Sequence, residues 1–149
     1  MDSETQGRDE VAIRLLLALA RLKARLREES SETSSGLSIS QLSILERLRR
    51  AGPATAASLA GAEHVTGQAI AQSLVPLKEA GLVRSDPDPA DARKTLISIT
   101  GAGLTLRESI IASRNSWLAR AIHSTINTEE GAALTQAIEL LEPLADADA

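Results

Sequence analysis

Residues 81–100 read GLVRSDPDPADARKTLISIT, and this stretch decides the fold. Leu82-Val83-Arg84-Ser85 and Thr95-Leu96-Ile97-Ser98-Ile99 are short, β-branched and partly alternating, the pattern of half-buried strands. Between them, Asp86 to Lys94 mixes prolines with aspartates, which demand a turn and keep it in water. The spacing predicts a two-stranded hairpin whose polar, exposed tip carries Arg93 and Lys94.

Upstream of the hairpin, Thr66 stands as a cap before a helix over residues 67–80, which Gly81 ends. Ile70, Leu74 and Leu77 share its inward face, and Pro76 should kink it or loosen one backbone bond. A turn at Glu63-His64-Val65 precedes it, and Thr55 caps a short helix from Ala56 to Ala62. Ser38-Ile39-Ser40-Gln41 fits a capping box opening a helix through Leu42, Leu45 and Leu48 to Gly52, just before Pro53. Residues 30–36, SSETSSG, have loop composition. Further out, Val11, Leu15, Leu16, Leu19, Leu22 and Leu26 recur at helical spacing over residues 9–29. Downstream, Thr100-Gly101-Ala102-Gly103 opens a helix with Leu104, Ile110, Ile111, Leu118 and Ile122, expected to run to about Ile126. Asn127-Thr128-Glu129-Glu130 starts a last helix with Leu134, Ile138 and Leu141, weakened at Pro143. The fold class is mainly α with a small β-hairpin wing: a winged helix-turn-helix over about 38–100 between long outer helices at about 9–30 and 101–145. All of it reads as a single domain, 1–149.

The chain has 149 residues, enough for one ordinary domain with a core of its own. With one Trp and no Phe or Tyr, that core must be aliphatic. The absence of cysteine excludes disulfides, thiolate metal sites and thiol redox sensing. His64 and His123 fall in no metal-ligand spacing, and neither a nucleophile elbow nor a phosphate-binding glycine loop is present. An enzyme is not expected, nor is a cofactor. No apolar run is long enough to span a membrane, and the charged start Asp2-Ser3-Glu4 points to a cytoplasmic protein. Net charge is −4, but the balance is +1 within residues 40–100 and −5 in the flanks, so the acidity lies mostly outside the winged segment.

A helix of that length can enter the major groove of double-stranded DNA with its N-terminal residues at base edges. Here those residues are Thr66, Gly67, Gln68, Ala69, Gln72 and Ser73. Glutamine can pair with adenine through two hydrogen bonds, and the Ala69 methyl can touch a thymine methyl. An amphipathic helix in a small core would show the same inward leucines. At the hairpin tip, Arg93 and Lys94 can reach a narrow minor groove, where negative potential concentrates. A solvated turn with a surface ion pair is the plainer alternative. Arg84 and the group Arg47, Arg49 and Arg50 can meet phosphate; for that group a solvated helix face stands as an equal reading. Trp117, the only large ring, reads as a packing anchor.

Gly81-Leu82-Val83-Arg84, the Asp91-Ala92-Arg93 wing and the strand end Ile97-Ser98-Ile99-Thr100 together resemble the MarR (multiple antibiotic resistance regulator) family. Ile97 stands where the family pattern usually has Leu. The resemblance spans about residues 10–143. It implies a homodimer built by the outer helices, a palindromic operator, a role for Asp91 in posing Arg93, and a small-molecule effector bound between the dimer helices and the winged unit. Ligand-responsive repression follows from it as the expected function. Arg14, Arg21 and Arg50 are candidate anion partners there, although a plain surface role is the favoured reading of each. The weakly basic recognition helix keeps a second class open: a winged-helix protein-interaction or scaffold module without specific DNA binding.

Overall fold

The computed structural model describes residues 2–29, 36–113 and 116–148. Among them run α1 (Asp2–Glu29), α2 (Ile39–Ala51), α3 (Ala56–Ala62), α4 (Gly67–Glu79), β1 (Val83–Pro87), β2 (Thr95–Ile99), α5 (Gly101–Ser113), α6 (Trp117–Thr125) and α7 (Thr128–Leu144). The mainly helical architecture with one hairpin is the one the sequence implies. The SSETSSG loop lies, except for Gly36, outside the described residues.

Caps set the boundaries. The Ser38 hydroxyl accepts from the Gln41 backbone N–H at 3.1 Å, while the Gln41 amide oxygen accepts from the Ser38 N–H at 2.9 Å, a reciprocal box at the head of α2. Thr55 and Thr66 accept from the N–H groups of Ser58 and Ala69, each at 3.1 Å, and so start α3 and α4. Gly81 closes the segment after α4 at φ 72°, a conformation that glycine reaches without a Cβ penalty. Between α3 and α4 the turn places His64 at φ 54°. Pro76 does not break α4: it gives no N–H to the preceding turn, yet the helix runs on to Glu79.

Three boundaries differ from the sequence expectation. α1 begins at Asp2 rather than residue 9, with acids in its first turns, where the helix dipole favours them, and an Arg8–Glu4 ion pair one turn apart. β1 extends to Pro87, opposite Thr95, because a terminal edge position asks no donor of proline. The long helix expected from Gly101 to about Ile126 is two helices instead. Ser116 has extended backbone (φ −72°, ψ 145°) and caps α6 by accepting from the Ala119 N–H. The local sequence Ser113-Arg114-Asn115-Ser116 favours this, since short polar side chains compete for backbone partners. Residues 114 and 115 lie outside the described set.

One apolar cluster holds the winged unit. Ile44, Leu45 and Leu48 of α2, Leu59 of α3, Ile70, Leu74 and Leu77 of α4, and Leu82, Val83 and Ile97 of the hairpin are all buried together. Ala54, just ahead of α3, exchanges both backbone hydrogen bonds with Ile97 at 3.0 and 2.7 Å, so β2 is bonded on both sides. The outer helices behave differently. Neither α6 nor α7 buries a residue, and on α1 Val11, Ile13, Leu16, Leu17, Leu19 and Leu22 all face solvent, Leu16 at 67 % exposure. The chain exposes 10928 Å² in total, whereas a compact monomer of this mass exposes about 7,300 Å². Arg25 lies over the Trp117 ring, 5.3 Å from its centroid, so the expected anchor joins α6 to α1.

Gly103 marks the tightest junction. A Cβ there would collide with the Leu82 carbonyl oxygen and sit 2.7 Å from the Ile99 side chain. Gly103→Ala should therefore cost about 1–3 kcal/mol in urea unfolding. Gly101→Ala, whose Cβ meets nothing within 4 Å, should stay within about 0.5 kcal/mol of the parent.

Candidate nucleic-acid interface

Burial of Ile70, Leu74 and Leu77 turns one side of α4 inward and leaves the opposite side in water. Thr66, Gly67, Gln68 and Gln72 are exposed, as the sequence expectation requires of base-reading residues. Ala69 and Ser73 are half-buried on a flank, where they line a shallow cleft with Ser40, Glu63 and Val65. Ala71 and Val75, which the sequence reading did not name, are exposed instead. Their signal was available: they stand three and seven residues after Gln68, on the side away from the leucines.

The hairpin tip is held from within. Asp88 N–H donates to the Lys94 carbonyl and Lys94 N–H to the Asp91 carbonyl, each at 2.9 Å. An Asp88 carboxylate oxygen accepts from the Ala90 N–H at 2.9 Å, a side-chain turn of the kind aspartate favours. One Asp91 carboxylate oxygen accepts both from the Arg93 backbone N–H and from its Nε, each at 3.1 Å. Asp91 is thereby half-buried while the Arg93 side chain is 91 % exposed. The aspartate orients the arginine without covering it. Lys94 is exposed beside it. Arg84 is not at the tip: it lies back along β1, opposite Ser98, with its Nε 3.0 Å from Asp86.

The three arginines of α2 divide the other way. Arg47 donates from Nε to Glu63 at 2.8 Å and from its terminal nitrogen to the Ala62 carbonyl, while the Ser43 hydroxyl donates to the second Glu63 oxygen at 2.7 Å. That knot fixes the end of α3 against α2 and sets the turn ahead of α4. Arg49 donates to Glu46 at 2.6 Å, and Arg50 donates to Glu142 of α7 at 3.0 Å. Both guanidinium pKa values are raised, first by these hydrogen bonds to carboxylates. Arg47 and Arg50 thus brace neighbouring elements, while Arg49 pairs one turn back along its own helix. Sequence spacing carried no sign of the contacts between elements, because Glu63, Glu142 and Arg107 are distant from α2 in the chain. Glu46 also accepts from Arg107 of α5, so one carboxylate joins the winged unit to the outer helices. The Arg49 hydrogen bond, opposed by partial desolvation and aided by Arg107, holds its pKa at about 2.

Between α2 and the end of α7 an open cleft is lined by Ser43, Glu46, Arg47 and Arg50 on one wall and by Glu142 and Asp146 on the other. His64, at the turn before α4, is exposed, with its Nε2 3.4 Å from Asp146. Among the described residues no helix is long and apolar enough to cross a membrane.

Comparison with known proteins agrees with this geometry. The model of the MarR family matches residues 37–95, the segment from the head of α2 to the start of β2. An HTH-type transcriptional regulator of Mycobacterium tuberculosis is 34% identical over 132 residues, covering 89% of this chain and 90% of the relative. A crystal structure from Pseudomonas aeruginosa is 29% identical with a TM-score of 0.63, covering 94% of this chain and 96% of its own. A mutant MarR from E. coli, solved in complex with operator DNA, shares the fold at a TM-score of 0.61 and 24% identity, over 86% of this chain and 91% of its own.

Glu46 carries a pH dependence. Its pKa is lowered from 4.5 to about 2 on folding, so its ion pairs stabilise the protein above pH 4.5, and that contribution is lost as pH falls through about 2. Glu46→Gln should lower Tm at pH 7 by no more than about 4 °C, because the group is partly exposed. The gap to the parent should shrink between pH 4.5 and 2 and close below it; a gap independent of pH would assign the loss to packing instead.

Proposed function

This chain belongs to the MarR family of transcriptional regulators, and on that premise we propose that it is a ligand-responsive repressor that binds a palindromic operator as a homodimer. In this reading residues 1–149 form one MarR-like domain, with about 9–30 and 101–145 pairing the subunits and about 38–100 meeting the duplex. The exposed apolar row on α1 and the surface in excess of a compact monomer favour pairing, since a chain that leaves Leu16, Leu17 and Leu19 in water gains by burying them against a second copy. Two-fold symmetry would then set two α4 helices toward successive major grooves and make the operator repeat inverted.

The observation that carries the DNA reading is Arg93: a guanidinium almost wholly in solvent, posed by its neighbour Asp91 at the end of a hydrogen-bonded hairpin. Such a cation suits the narrow minor groove. Thr66, Gly67, Gln68, Ala69, Gln72 and Ser73 are proposed to lie at or beside the major-groove edge, and Arg84 and Lys94 on phosphate. Arg84 would exchange Asp86 for a phosphate oxygen on binding. An anionic effector would enter the α2–α7 cleft and compete with Glu142 for Arg50, loosening α7 from the winged unit and shifting the spacing of the reading helices. Arg14 and Arg21, both exposed on α1, are the further anion partners this reading allows.

Anisotropy titration against the DNA upstream of the protein's own coding sequence tests the proposal. Tight, salt-sensitive, sequence-selective binding is expected, with Arg93→Ala weakening it about tenfold. Equal, weak binding of both forms would favour the scaffold alternative. In sedimentation the parent should run at twice the chain mass, and Leu16→Asp should shift it toward the single chain; a parent that sediments as one chain would end the two-fold reading.

A further inference from the structure

We infer that the base pairs met by α4 are A·T pairs, with adenine read by Gln68 and Gln72 and thymine methyls met by Ala71 and Val75. The inference rests on α4 being the helix that enters the groove, and it adds which bases that helix selects. Gln68, Ala71, Gln72 and Val75 stand at positions 0, +3, +4 and +7 of one helix, and all four are exposed. The opposite side is closed by Ile70, Leu74 and Leu77, so α4 cannot rotate another set outward without unpacking the core. Ala69 and Ser73 look into the shallow cleft beside Glu63 and Val65, so the thymine contact expected of Ala69 passes to Ala71 and Val75.

The chemistry of this face is restricted to two kinds. A carboxamide sets an N–H donor beside a carbonyl acceptor, so it can donate to ring N7 of adenine and accept from the exocyclic amino group in the major groove. A methyl or isopropyl group offers only apolar contact, which in that groove means the thymine methyl. Val75 is 52 % exposed; a lone exposed valine needs no account, but this one shares its face with two amides and no charge until the last turn. Guanine is most often read by the two-pronged donor set of Arg or Lys. The only basic residue of α4, Lys78, sits on a flank in its last turn, about 15 Å along the axis from Gln68. Glu79 lies at the same distal end and is equally far from the groove-entering turns.

Selection of duplexes from a random pool by the full-length protein, followed by sequencing, tests this without an assumed operator. A·T pairs are expected at the symmetric positions whose identity changes to G·C when Gln72→Arg is selected in parallel. Placing 7-deazaadenine or uracil at those positions removes the N7 acceptor or the thymine methyl and leaves the minor groove intact. Each should weaken parent binding, and Gln72→Ala should lose discrimination there by roughly 5- to 150-fold. G·C pairs selected by the parent at those positions would overturn the inference. So would unchanged affinity for both modified duplexes, which would place the preference in groove shape. Either result leaves the regulator reading standing, whereas a pool from which no duplex is retained would remove both.

Discussion

Ile70, Leu74 and Leu77 fix α4 in one rotation, and most of the molecule's surface chemistry depends on that constraint. They pack with Leu45, Leu48 and Leu59 from the two helices before them and with Ile97 from the hairpin. Losing one such side chain would leave a cavity costing roughly 2–5 kcal/mol, a large share of the stability of a domain this size. The same burial decides which residues of α4 remain outside. In the proposed reading recognition would be set from the inside: the buried residues choose the face, and the face determines what can be read.

Charge is used in an unexpected order. The winged segment has barely more cations than acids, and its α2 arginines are committed to Glu63, Glu46 and Glu142. Three of the contacts around α2 link two elements: Arg47 with Glu63 sets α3 against α2, Glu46 with Arg107 ties α2 to α5, and Arg50 with Glu142 ties α2 to α7. Exposed pairs of this kind add little to stability. Their consequence is positional, since a movement of α5 or α7 is felt at α2 and so at the turn before α4. An anion entering the α2–α7 cleft would meet that linkage at its most exposed point.

The architecture was legible in the sequence wherever a local rule applied. Ser38, Thr55 and Thr66 capped the helices they were expected to cap, because a cap is a contact between residues three apart. Ile70, Leu74 and Leu77 faced inward as their spacing required. The break before Trp117 was missed because the apolar spacing on both sides continued through it, and the weight of Ser113 to Ser116 against helix was undercounted. The ion pairs that tie α2 to other elements were beyond reach, as their partners lie 16 to 92 residues away, whereas Arg49 and Glu46 stand only three apart. Of the proposed interface residues, Gln68, Gln72, Arg93 and Lys94 were legible in the sequence and are exposed. Ala69 and Ser73 are half-buried instead, because exposure on a helix follows the angle around its axis as well as nearness to its start.

An acidic chain can still bind an anionic polymer if its few uncommitted cations are placed where charge counts most. Attraction between surface charges fades beyond roughly 10 Å at moderate salt, so the acids of α1 and α7 weigh little on a cation held at the end of a hairpin. Arg93 projects from that end paired with Asp91, and the Asp91 oxygen that takes its Nε also accepts from the backbone N–H that shapes the turn. The guanidinium thus keeps its reach while its orientation is fixed before any partner arrives, which lowers the ordering cost of binding. In the proposed complex, with the α2 arginines paired to Glu63, Glu46 and Glu142, binding would lean more on base edges and on this one wing than on a broad basic surface. Such an interface would favour selectivity over affinity, since a uniform phosphate attraction would add strength at every sequence alike.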